Sequence, residues 1–222
     1  MIEARTMFVT GLEISLRGRV LNAQPVELLS SRDDKLVEVV KDVNDTRFVR
    51  RSYTQRAIDR FERVGIPFVE ALNELHHIFD AAGIEVVPAT IFQPSEEESP
   101  FPLVVATQYL KDDINTASRD AKVHVATSLG AVPGDTSKFL PGPEIFMPDM
   151  FRVRRDNTGT DSLVLVDIDP YLVDRWATSI SSNSRDIWNS AYVRTISRHM
   201  WGSWCQPDER RAVIGAFVRS LS

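Results

Sequence analysis

The chain has 222 residues, of which 43% are hydrophobic and 26% are charged, and these proportions exclude a wholly disordered chain. Its 26 Lys and Arg residues stand against 31 Asp and Glu residues, which gives a net charge of −5, so a broadly basic groove for nucleic acid is not expected. The single cysteine excludes an intramolecular disulfide scaffold and a zinc site built from cysteines.

No stretch approaches the roughly 18 uninterrupted apolar residues of a membrane span. The first residues, MIEARTMFVT, include an acidic side chain and lack the apolar segment of a secretory signal. We therefore expect a cytoplasmic protein that does not engage a membrane, with any protein partner left open.

The first fifty residues are predicted to be mainly strands. Extended apolar runs cover residues 7–18 and 19–31, with glycine and proline as punctuation, and the Val-rich run around Lys41 favours a further strand. Two helices are predicted next, over residues 51–64 and 68–82, because their apolar residues recur at helical spacing.

The rest of the chain alternates between the two kinds of element. Residues 84–92 and 101–110 are predicted to be a pair of strands, with Pro88 indicating that the first lies at a sheet edge or has a bulge there. A helix is predicted over residues 114–132, followed by a β-hairpin over residues 150–169. The final fifty residues have a helical pattern, with Trp188, Ala191, Thr195 and His199 on one face and a last helix from Pro207.

This order predicts an α+β fold with two lobes. The first, residues 1–110, is expected to be mainly β with one or two helices, among them the helix of residues 68–82. The second, residues 111–222, is expected to be mainly helical around the hairpin.

The sharpest local signal is LVLVDIDP at residues 163–170. In an extended chain Asp167 and Asp169 point to the same side, and a divalent cation such as Mg²⁺ would relieve the repulsion between their carboxylates. The alternative is an exposed strand end, with Asp169 opening a turn before Pro170.

Asp149 strengthens the metal interpretation, because it lies just before the first arm of the predicted hairpin, 18 residues before Asp167. A hairpin returns the chain on itself, so both carboxylates can reach the same end of the sheet. Taken alone, Asp149 fits a turn residue after Pro148 better than a functional carboxylate.

With these residues the sequence resembles the protein-kinase-like fold, near small-molecule and atypical bacterial kinases. In that family a catalytic-loop Asp precedes a short hairpin whose second strand ends in a metal-binding Asp. Asp149 resembles that catalytic-loop Asp. D-I-D at residues 167–169 would take the place of D-F-G, the family motif that contains the metal-binding Asp. LVEVVK at residues 36–41 resembles the strand that carries the phosphate-binding lysine.

The resemblance implies ATP and Mg²⁺ as cofactors and a hydroxyl group as phosphate acceptor. Asp149 would orient that hydroxyl and accept its proton, while Asp167 and Asp169 would hold the metal ion. Lys41 would neutralise phosphate charge and pair with Glu70, although a lysine near a strand end is more often simply solvated. Glu74, one turn further on, is equally available for this pairing.

The sequence also departs from the family pattern. Arg154 stands where the family places a metal-binding Asn, although its guanidinium could instead contact a phosphate, and no G-x-G-x-x-G loop is present. A non-catalytic pseudokinase that serves as an interaction module is therefore an alternative. Another DxD metal-dependent transferase is a second one.

The remaining polar features favour structural roles. The basic segments RFVRRSYTQR (47–56) and FRVRRD (151–156) could bind phosphate, but solvated charge is the simpler interpretation. The histidines show no metal-ligand spacing, and Cys205 is expected to be a buried or inert thiol.

Overall fold

The computed structural model describes residues 13–62, 67–131, 148–167 and 205–220. The chain divides into two compact units, one formed by residues 1–67 with 87–109 and the other by residues 68–86 with 110–222. The structure is a mixture of helices and antiparallel sheets, so the predicted α+β class is confirmed.

The first unit is built on a five-stranded antiparallel sheet with the strand order β1-β2-β3-β5-β4. Its elements are α1 (Glu13–Leu21), β1 (Gln24–Ser31), β2 (Lys35–Lys41), β3 (Arg47–Tyr53), α2 (Gln55–Glu62), β4 (Ala89–Phe92) and β5 (Leu103–Gln108). β4 lies at an edge of this sheet, as Pro88 predicts, and β1 forms the other edge with Pro25 near its start.

The strand predicted over residues 7–18 is wrong where the structure describes it, because α1 begins at Glu13. Leu16 and Val20 stand one turn apart on the helix, and both join the hydrophobic cluster that α1 forms with the sheet. Burial of this apolar face stabilises the helix by more than the weak local preference of the segment for a strand.

Two arginine–carboxylate pairs hold α1 on the sheet. Nε of Arg19 donates to Asp42 at the end of β2 over 2.6 Å. Arg50 of β3 donates to the carbonyl of Val20 over 3.2 Å and to Glu38 over 3.0 Å. The Val20 carbonyl also accepts from the Ala23 amide over 3.3 Å, so Arg50 adds a second donor to a carbonyl at the end of α1.

The prediction of a helix over residues 51–64 is wrong at its start, because residues 51–53 belong to β3. Thr54 ends the strand and begins α2, and its hydroxyl accepts a hydrogen bond from the Ala57 amide over 3.3 Å. The sequence pattern does not predict β3, whose register pairs it with β2 on one side and with β5 on the other.

The second unit contains a three-stranded antiparallel sheet with the order β6-β7-β8. Its elements are α3 (Phe68–Ala81), β6 (Asp112–Asp113), a 3₁₀ turn (Ile114–Thr116), α4 (Arg119–Ala131), a second 3₁₀ turn (Pro148–Met150), β7 (Phe151–Arg155), β8 (Asp161–Leu165) and α5 (Arg210–Ser220). The predicted hairpin is confirmed, with its turn at residues 156–160.

The helix α3 groups with the later part of the chain, although sequence analysis assigned it to residues 1–110. The segment after it explains why. The amide of Leu165 in β8 donates to the Glu85 carbonyl over 2.9 Å, and Nε2 of His124 in α4 lies 3.1 Å from the Gly83 carbonyl oxygen. These contacts fix the end of α3 to the hairpin sheet and to α4.

The last helix begins at Arg210, after a turn at residues 207–209, rather than at Pro207. The predicted face of Trp188, Ala191, Thr195 and His199 lies outside the described residues. No helix in the described part of the chain is long and apolar enough to cross a membrane.

Candidate functional site

The open end of the β7–β8 hairpin brings Asp149 and Asp167 together. The last paired residues of the ladder at this end are Phe151 and Leu165. Beyond them, the Met150 carbonyl accepts hydrogen bonds from the amides of Val166, over 2.8 Å, and Asp167, over 3.4 Å. The two acidic residues therefore flank one main-chain contact, and we call this end of the hairpin the Asp149–Asp167 end.

The two carboxylates differ in their environment. Asp149 lies in the 3₁₀ turn before β7 and its side chain is exposed, whereas Asp167 follows β8 and is half-buried. Asp169 lies outside the described residues. Among the residues that are described, no group of three or more His, Cys, Asp or Glu side chains is arranged to hold a metal ion.

Arg154 is held away from that end of the hairpin. It pairs with Ser162 in the ladder, near the turn, and its guanidinium forms an ion pair with Glu85. Partial burial lowers the pKa of Arg154, and Glu85 also accepts a hydrogen bond from the Ser162 hydroxyl over 3.1 Å. Arg154 thus fastens the segment after α3 to the hairpin.

The other two arginines of FRVRRD differ from each other. Arg155 lies within 2.6 Å of Asp112 and 3.0 Å of Asp161, so it links β6 to the hairpin. Arg152 donates from Nη1 to the carbonyls of Asp149, over 3.0 Å, and Phe151, over 2.8 Å. Of the three, only Arg152 lies at the Asp149–Asp167 end.

Lys41 and Glu70 are both accessible to solvent. Lys41, at the end of β2, forms an ion pair with Asp45 over 2.6 Å, and its side chain is 43% exposed. Glu70 is exposed in the first turn of α3. Lys41 belongs to the first unit and Glu70 to the second.

A tight turn joins β1 to β2. Residues Arg32 and Lys35 exchange main-chain hydrogen bonds of 2.9 and 3.3 Å, which leaves Asp33 and Asp34 as the two turn residues. This hairpin, residues 24–41, contains no glycine. Of the basic segment 47–56, Arg50 and Arg51 serve the sheet instead, Arg51 by donating to Thr107 over 3.2 Å.

A concave surface lies at the other end of the β7–β8 hairpin, near its turn. It encloses about 440 Å³ between the hairpin, the segment after α3 and the start of α4, and Glu85, Asp161, Ser118 and His124 line it. The Ser118 amide donates to Asp161 over 2.8 Å. Its polar groups largely bond to one another, so it resembles a structural junction.

The cysteine and the buried histidine match their predicted structural roles. Cys205 is buried, and this burial raises the pKa of its thiol. His76 lies on the buried face of α3, where burial lowers its pKa to about 4. His199 lies outside the described residues.

Sequence comparison finds no matching family model and no matching curated protein. Solved structures of kinases do match. A structure of Rad53 in complex with AMP-PNP is 9% identical over 89% of this chain and 48% of that chain, with a TM-score of 0.42. The MAP kinase LmaMPK10 from Leishmania major is 12% identical over 92% of this chain and 64% of that chain, also with a TM-score of 0.42.

The chain therefore spans about half of one kinase chain and just under two thirds of the other. At these TM-scores the likeness does not place the chain in the kinase family.

Proposed function

We propose that the chain binds a nucleotide through a divalent cation at the Asp149–Asp167 end of the hairpin. The observation that carries this proposal is the pair of hydrogen bonds that the Met150 carbonyl accepts from the amides of Val166 and Asp167. They bring two acidic residues, 18 positions apart in sequence, to one end of a sheet.

The donor set fits Mg²⁺ better than a metal that needs an all-protein site. Mg²⁺ keeps several waters and is commonly bound by one or two carboxylates together with the phosphates of a substrate. Asp167, half-buried behind β8, would be the principal ligand, and Asp169 would be a second one. When bound, the ion would neutralise charge on the phosphates.

Phosphoryl transfer from ATP to a hydroxyl is the reaction that this arrangement would serve. The acceptor oxygen would form a bond to the γ-phosphorus while the bond from that phosphorus to ADP breaks. Exposed Asp149 would orient the hydroxyl and take its proton.

Calorimetric titration with ATP tests the proposal, with and without Mg²⁺. The wild type is expected to bind ATP only when Mg²⁺ is present, and Asp167→Asn should abolish this binding. Asp149→Asn should bind Mg·ATP normally but lose turnover by roughly 10²–10⁴-fold, the usual contribution of general acid–base catalysis. Asp120→Asn, an exposed residue of α4, is the matched control.

Absence of Mg²⁺-dependent binding by the wild type at millimolar ATP would reject the proposal. A non-catalytic interaction module would then be favoured. The ion pairs that occupy Lys41 and Arg154, and the tight turn at Asp33–Asp34, support this second candidate. Binding without any turnover would also indicate this second function.

A further inference from the structure

We propose that Arg152 contacts a phosphate of the nucleotide, in the position that the sequence suggested for Arg154; this inference rests on the proposed function. The two residues lie two positions apart on β7. Their side chains therefore start from the same face of the strand, but only Arg152 stands beside Asp149.

The carboxylate partners of the three β7 arginines distinguish them. Arg154 pairs with Glu85, and Arg155 pairs with Asp112 and Asp161. Arg152 has no carboxylate partner within the described ranges, where both of its hydrogen bonds go to neutral carbonyls. Among the described residues, its positive charge is thus the one in this segment that no acidic side chain compensates.

The two carbonyl contacts fix the guanidinium in place. Both use Nη1, which donates to the Asp149 carbonyl over 3.0 Å and to the Phe151 carbonyl over 2.8 Å. A guanidinium also carries N–H donors on Nε and Nη2, and these form no hydrogen bond with the described residues. The remaining edge has the fork geometry that binds two phosphate oxygens at once.

The charges at this end of the hairpin also favour the assignment. Asp149 and Asp167 place two acidic residues at one end of the hairpin, and a polyphosphate adds further negative charge. A cation bound by the aspartates offsets part of this charge, and a half-buried guanidinium beside them offsets more. Because its backbone contacts already hold it, Arg152 loses little side-chain freedom when a phosphate binds.

Calorimetric titration of Mg·ATP into the full chain tests the inference, with Arg152→Gln and Arg154→Gln compared with the wild type. A hydrogen-bonded charge contact is worth about 1.5–3 kcal/mol, so Arg152→Gln is expected to weaken ATP binding by about 10- to 150-fold. Arg154→Gln should change the affinity by less than about threefold. Equal binding by Arg152→Gln and wild type would overturn the inference while leaving the proposed function intact.

The salt dependence of ATP binding distinguishes a phosphate contact by Arg152 from a purely structural role. Loss of a phosphate contact makes the ATP affinity of Arg152→Gln less sensitive to KCl than that of the wild type. An unchanged slope would mean that Arg152 only supports the turn, and would reject the phosphate contact.

Arg152→Lys covers the case in which the glutamine variant does not fold. It retains the charge without the fork, so we expect an intermediate affinity and a wild-type salt slope. Wild-type affinity in Arg152→Lys would reject the forked contact. A wild type that does not bind Mg·ATP would overturn the inference together with the proposed function.

Discussion

Nζ of Lys122 lies 2.8 Å from Oε2 of Glu209, and the lysine side chain is only 1% exposed. The pair joins α4 to the start of α5. Glu209 also accepts a hydrogen bond from the Gln206 amide over 3.1 Å, so its carboxylate closes the turn that begins the helix. Among the described residues, Glu209 is the carboxylate that partners this buried ammonium, so the junction is sensitive to loss of either charge.

We expect Lys122→Met to lower the free energy of unfolding by about 3 kcal/mol, because it leaves Glu209 without its cation. Adding Glu209→Gln should recover part of that loss, since a neutral amide can still accept from Gln206 and needs no positive partner. Urea unfolding of both single variants and the double variant gives the coupling energy. Strictly additive losses would show that the ion pair does not stabilise the junction.

Gly83 ends α3 in the left-handed region, with φ of +74°. The Ile84 amide donates to the Phe79 carbonyl over 2.9 Å, which closes the helix end around this glycine. An added Cβ would find its nearest neighbour, the Ser128 hydroxyl oxygen, at 3.8 Å, an ordinary contact. A side chain at this position would therefore destabilise the fold through the strained left-handed backbone and not through crowding.

Gly83→Ala should lower the free energy of unfolding by about 1–2 kcal/mol, the cost of left-handed backbone in a residue with a Cβ. Gly18→Ala is the matched control, because Gly18 lies within α1 and has open space around it. That change should raise stability by roughly 0.5–1 kcal/mol. Chemical denaturation measures both effects, and a neutral Gly83→Ala would show that the helix end can rearrange.

Much of the fold follows from local sequence patterns. The apolar stripe of α3, with Gly83 after it, and the turn residues of the β7–β8 hairpin each predict their element. α1 and β3 could not be predicted in this way. The helical form of α1 depends on Arg50 and on the apolar face of a sheet that is distant in sequence, and β3 is a strand because it lies between β2 and β5.

The candidate site is predictable to a similar extent. A hairpin between Asp149 and Asp167 is enough to bring both to one end, which the sequence shows. The partners of the arginines cannot be predicted from the sequence, because Glu85 and Asp112 reach Arg154 and Arg155 through tertiary contacts. In the sequence RVRR, nothing distinguishes Arg152 from Arg154 and Arg155. Their hydrogen-bond and ion-pair partners in the structure do.

Asp42 makes the stability of the first unit's sheet depend on pH in the acidic range. Burial raises the pKa of Asp42, but hydrogen bonds from the Thr46 amide, Arg19 and the Asn44 amide outweigh this effect and hold the pKa below its ordinary value. The carboxylate therefore stabilises the fold above the pKa of the unfolded chain, and this stabilisation is lost as the pH falls through the folded pKa.

Asp42→Asn should accordingly be less stable than the wild type at pH 7, and the gap should narrow as the pH is lowered towards 3. Urea unfolding at a series of pH values measures the gap. Asp45→Asn, which removes an exposed partner of Lys41, serves as the control and should show a small difference throughout. A gap that is constant with pH would contradict the role of the Asp42 carboxylate.

His76 makes stability depend on pH in a range closer to neutral than the range set by Asp42. Its side chain is 7% exposed. Burial, and secondarily the charge of His77, lowers its pKa from 6.5 to about 4, while Asp80 acts in the opposite direction. The folded protein therefore keeps His76 neutral at a pH at which the unfolded chain already binds a proton.

Because the unfolded state binds more protons between pH 6.5 and about 4, the stability that His76 allows is complete above pH 6.5 and falls as the pH drops through this range. At 1.36 kcal/mol per pH unit, the loss amounts to at most about 3 kcal/mol. His76→Gln does not titrate, so its free energy of unfolding should fall less steeply over the same range, although the variant starts from a lower stability at pH 8. His77→Gln, which alters an exposed neighbour on the same helix, should retain most of the wild-type slope. Parallel pH profiles for His76→Gln and the wild type, measured by urea unfolding, would show that another group is responsible.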